Sequence, residues 1–84
     1  MYSGLFRRFS YKRSDKRGER IRLAMKDIIV KHSKEFEGST LTCGNSFSGD
    51  NAVIRIYVDS EAEREFITEK LDKDESFKEL QKKL

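Results

Sequence analysis

The stretch NAVIRIYV, Asn51 to Val58, constrains the fold more than any other part of the chain. Ala52, Ile54, Ile56 and Val58 fall on one side of a period-two strand, and Val53, Arg55 and Tyr57 on the other. A strand with one wholly apolar face needs neighbours for its backbone hydrogen bonds and a layer to cover that face. The residues before it, STLTCGNSF, read as a second strand, with Leu41, Cys43 and Phe47 alternating with Thr40 and Thr42. On that pattern Cys43 is expected to be a small buried apolar residue. SFSGDN joins the two strands as a hairpin with a slightly long loop, in which Gly49–Asp50 supplies an unusual backbone angle.

The covering layer is legible on both sides of the hairpin. Ile21, Ala24, Met25, Ile28, Ile29, His32 and Phe36 recur with helical spacing over four turns, and Gly38 is a natural stop. This first helix is expected to begin near Ser14 or Asp15, with Ser14 as N-cap, or only after Gly18. SEAE opens a second helix as a capping box, Ser60 capping and Glu63 reaching back, with Ala62, Phe66, Ile67 and Leu71 on its apolar face. DKDES interrupts the pattern, and Phe77, Leu80 and Leu84 resume it as a short third helix. The expected fold class is therefore α+β, a small single domain of order α-β-β-α-α with an antiparallel hairpin packed on helices. Two strands make a marginal sheet, so a third is required, from the chain around Leu5–Tyr11 or from a partner molecule.

Ahead of the first helix the chain changes character. Leu5 to Arg22 holds eight Arg or Lys side chains against two carboxylates, Asp15 and Glu19. Residues 1–34 carry eleven Lys or Arg and three acids, a charge of +8, whereas residues 35–84 carry seven and twelve, a charge of −5. The expected organisation is a basic arm over 1–17 and a single α+β domain over 18–84. Such polarity points the basic end at a polyanion, nucleic acid or an acidic membrane.

Enzymatic chemistry finds no constellation. His32 lies on the apolar stripe of the first helix and reads as a boundary or core histidine, and no motif around it or Cys43 makes a nucleophilic pair. One Cys and one His do not make a zinc site, and GNSFSG lacks the Gly-Lys-Ser/Thr ending of a phosphate loop. The expectation is a protein without catalytic, metal or cofactor chemistry. A lone cysteine, the lack of a run of about 18–20 apolar residues and the lack of a signal hydrophobic region point to a cytoplasmic protein. The acid-free first fourteen residues bear a loose likeness to a mitochondrial presequence.

The basic segment thus carries the functional reading. Arg7, Arg8, Lys12, Arg13, Lys16, Arg17, Arg20 and Arg22 are the candidate phosphate contacts, each releasing counterions on binding. Phe6, Phe9 and Tyr11, interleaved among them, would stack on unpaired bases and favour RNA or single strands. Two alternatives stay open: a regulatory module that docks an exposed sheet edge on a protein partner or a second copy, and an anionic-membrane binder inserting Leu5, Phe6 and Phe9.

SGDNAVIRIYV also resembles the ribosome-binding factor A family. Ser48, Asp50, Arg55, Ile56, Tyr57 and Val58 keep the spacing of that family's second strand, and Arg17, Arg20 and Arg22 match the spaced arginines that enter its first helix. Phe77 fits the start of its last helix. The resemblance implies a type II KH-like fold of order α-β-β-α-α-β and a role in small-subunit maturation through ribosomal RNA. The chain departs from the family at the bend between the last helices, where Asp74, Glu75, Ser76 and Glu79 replace a small, glycine-containing and basic stretch.

Overall fold

The computed structural model describes residues 4–84. The chain forms β1 (Leu5–Lys12), α1 (Lys16–Ser33), β2 (Thr42–Ser48), β3 (Asn51–Tyr57), α2 (Glu61–Lys73) and α3 (Glu75–Lys82). The three strands make one antiparallel sheet in the order β1-β3-β2, with the helices on one face, an α+β domain. The third strand that the hairpin needed is the basic segment itself. Within the expected arm over 1–17, residues 5–12 form the edge strand β1, and α1 begins at Lys16. The order is β-α-β-β-α-α, so the third strand enters from before α1, where the family resemblance implies one after the last helix.

Local chemistry explains each boundary. Asp15, rather than Ser14, caps α1: its carboxylate accepts from the Gly18 N–H at 3.0 Å. A Cβ at Gly18 would lie 2.8 Å from that carboxylate, so the glycine sits inside the first turn under the cap instead of marking the start of the helix. Ser14 turns away and binds the hairpin tip, its hydroxyl donating to Asp50 at 2.6 Å and its N–H at 2.8 Å. The hairpin loop is two residues, shorter than expected, because Gly49 at φ 60° permits the tight primed turn whose twist matches the strands.

The core joins Phe6 and Phe9 of β1 and Ile54, Ile56 and Val58 of β3 and its end to Ile21, Met25 and Ile29 of α1, with Ile67, Leu71 and Phe77 closing it. Strict alternation would send Phe6 and Phe9 to opposite faces. A bulge between Leu5 and Arg7 shifts the phase and lets both rings face the helices, each 5% exposed.

Glu63 occupies a core position on α2 and is completely buried. Ser60 caps α2 as expected, accepting from the Glu63 N–H, but the Glu63 side chain does not reach back. It turns inward and accepts from the hydroxyls of Ser33, Ser39 and Thr40 at 2.7, 2.6 and 2.9 Å and from the Thr40 N–H at 2.7 Å. Burial pushes its pKa up, yet these four donors outweigh that and hold it below the ordinary glutamate value. One carboxylate thereby pins the end of α1 and the chain entering β2 to α2. Ala62, expected on the apolar face, is exposed.

Candidate nucleic-acid interface

The sheet register sorts the basic residues. Along β1, Arg8, Ser10 and Lys12 point away from the helices, whereas Phe9 and Tyr11 point toward them. Arg8 lies directly opposite Arg55 of β3, and Lys12 opposite Asn51, to whose Oδ1 its Nζ donates at 2.5 Å. Arg55 donates to the Ser46 hydroxyl of β2 at 3.0 Å. Like charges at paired positions on a sheet face add no stability to it, and Arg55 reaches toward β2 rather than toward Arg8.

The remaining cations follow the chain around the end of the sheet. Arg13 lays its guanidinium 4.9 Å over the Phe47 ring. Lys16, Arg17 and Arg20 lie on the first turns of α1, all three exposed. Arg22 is half-buried, 5.6 Å over the Phe9 ring, and shares a shallow cleft with Lys12, Arg17 and Lys83. Arg7 differs from the rest. It is half-buried on the Phe6 ring, 4.6 Å from the centroid, and Arg64 approaches the same ring. Burial, and the charge of Arg64 beside it, push the Arg7 guanidinium below its ordinary pKa. Arg7 is thus part of the rim of the core, and Arg64 also ties α2 to β1 by donating to the Leu5 carbonyl.

Charge in this region is not closed into ion pairs, although Asp50 lies near Lys12 and Arg13 and Asp72 near Arg7. Among the described residues, none of the eight cations from Arg7 to Arg22 has a carboxylate oxygen within 4.0 Å. The ion pairs lie elsewhere: His32 with Glu35 and Asp74, and Lys73, Lys78 and Lys82 with Glu69, Glu75 and Glu79. The carboxylates nearest the basic segment are already engaged, Asp15 as the helix cap and Asp50 by Ser14, whose hydroxyl and N–H hold the Asp50 pKa low.

The aromatic part of the expectation is corrected. Phe6 and Phe9 are core residues, and Tyr11 packs half-buried against the core, so Phe9 has no face to offer a base. The same burial removes Phe6 and Phe9 from any membrane-inserting role. Two residues on the open face were not among the sequence candidates, Arg55 and Tyr57. The alternation of VIRIY already grouped them away from the apolar side; their neighbourhood with Arg8 exists only through the β1–β3 register.

His32 directs Nε2 to Asp74 at 2.7 Å and Nδ1 to Glu35 at 3.3 Å, joining α1 to the junction of α2 and α3. The His32 contact is the first cause of a lowered Asp74 pKa; the Phe77 N–H, which Asp74 caps at 3.0 Å, adds to it. Cys43, expected to be buried, is exposed on β2. Among the described residues no helix is long and apolar enough to cross a membrane. Comparisons with protein-family models, curated proteins and solved structures find no match to the chain.

Proposed function

We propose that this chain is a small non-enzymatic RNA-binding protein that holds RNA through the surface built by β1 and the first turns of α1. The observation that carries the reading is the set of cations Arg8, Lys12, Arg13, Lys16, Arg17 and Arg20, none of which has a carboxylate partner among the described residues. A cluster of cations without ion pairs on ordered elements costs folding stability by self-repulsion, and a polyanion converts that cost into affinity through counterion release. Arg22 and Arg7 border the surface, with their guanidinium groups on aromatic rings. The likeness to the ribosome-binding factor A family makes small-subunit ribosomal RNA the target to try first.

A salt titration of binding to a structured ribosomal RNA fragment tests the reading. Affinity falls steeply with salt, and the Lys16→Gln, Arg17→Gln, Arg20→Gln triple variant lowers the log–log slope by about 0.7–0.9 for each phosphate that the removed cations had neutralised. Negligible binding by the full chain at moderate salt overturns it. A second reading, self-association through the sheet edge, is favoured by β2, whose seven residues are all exposed. Sedimentation that stays monomeric across concentration rejects it.

A further inference from the structure

We propose that the open face of the sheet, opposite the helices, is a platform for a single-stranded RNA segment, with Tyr57 stacking on a base and Arg8, Lys12 and Arg55 contacting phosphates. The proposal rests on the RNA-binding reading above and gives it a site. No Asp or Glu occurs anywhere in the three strands, although the chain has fifteen acids. The open face therefore carries three cations and no anion. Arg55 and Lys12 are steadied by the neutral oxygens of Ser46 and Asn51, so their positions are fixed while their charge stays available. Arg8 and Arg55 occupy paired positions of β1 and β3, so a phosphate on this face meets cations from both strands.

Shape points to the same ligand. Tyr57 is half-buried, and with Phe6 and Phe9 in the core it is the aromatic left on this face among the described residues. Gly44 lies opposite Arg55, has no positive φ, and a Cβ built on it meets nothing within 4 Å. Neither backbone nor packing asks for glycine there, and the bare position leaves the floor flat. Three strands give a surface about 10 Å across and about 20 Å long. That suits two or three splayed bases, as on other sheet platforms, and is too broad to enter a duplex groove.

The test measures anisotropy of a labelled decauridylate and of a short RNA duplex with the full chain and three variants. Gly44→Glu fills open space and sets a carboxylate opposite Arg55; Tyr57→Leu removes the ring but keeps an apolar strand residue. The third is the Lys16, Arg17, Arg20 triple glutamine variant, and thermal melts confirm folding of each. The proposal expects preference for the single strand, with Gly44→Glu and Tyr57→Leu each weakening it about tenfold or more while leaving weak duplex binding little changed. Salt-dependent RNA binding that both face variants leave intact, but that the triple variant reduces, overturns the platform and leaves the basic-surface reading standing. Equal affinity for duplex and single strand also overturns the platform. No binding to either RNA overturns both.

Discussion

The two strands that flank β3 have opposite fates. β1 comes from a segment crowded with charge, yet Phe6 and Phe9 lie in the core. β2 comes from a segment with the alternation of a core strand, yet all seven of its residues are exposed, Phe47 at 58%. Both pair with the same central strand over similar lengths. What separates them is the helix layer: α1 packs on β1, α2 and α3, and none of the helices covers β2. Backbone pairing places a strand in a sheet, but side-chain burial is decided by what lies above it.

Truncating one phenylalanine in each flanking strand should reproduce this contrast in stability. Phe9→Ala should cost about 3–4 kcal/mol by urea denaturation, a large cavity in the core. Phe47→Ala should cost less than about 1 kcal/mol, the scale of an exposed cation–π contact with Arg13. Comparable losses at both sites would break the contrast and mean that β2 is covered in solution.

Glu63 sharpens the comparison, because its bonds to Ser39 and Thr40 fasten the chain just before β2. Glu63→Gln sets an amide donor among four donors and should cost about 2–3 kcal/mol. Amide hydrogen exchange should then quicken in β2 before β1; equal quickening would show that Glu63 supports the whole core instead. The pH dependence has a definite sign. Glu63 and Asp74 both have folded pKa values below their unfolded ones. Their contribution is therefore fully present above about pH 4–4.5 and lost as pH falls through the folded values. Wild type should lose stability below about pH 4, and Glu63→Gln should flatten that decline; an unchanged acid limb would contradict the role given to Glu63.

Smaller effects separate function from fold. Arg8→Thr removes half of the opposed pair and should raise stability by about 0.5 kcal/mol at low salt, with the gain shrinking as salt is added. A loss instead would mean that Arg8 has a stabilising role in the free protein. Cys43→Ser should change stability by no more than about 0.5 kcal/mol, and the Cys43 thiol should label in the native state. Partial burial pushes that thiol up, so labelling should quicken as pH rises above neutrality. Labelling only on unfolding would restore Cys43 to the core.

Periodicity by itself determined much of this protein. The apolar sides of α1 and β3, the Ser60 cap and the break before Phe77 follow from spacings of two and 3.6 that local geometry enforces. The surplus of positive charge before Arg22 is likewise a matter of counting. Only tertiary structure decided the rest. Phe6 and Phe9, three residues apart, match no unbroken strand, and a bulge is set by pairing with β3 rather than by β1 alone. Glu63 reads as the second half of a capping box until Ser33, Ser39 and Thr40 close around it. Arg8 and Arg55, 47 positions apart, become neighbours through register. Spacing along the chain reports which side a residue faces; what waits on that side is supplied by segments distant in sequence.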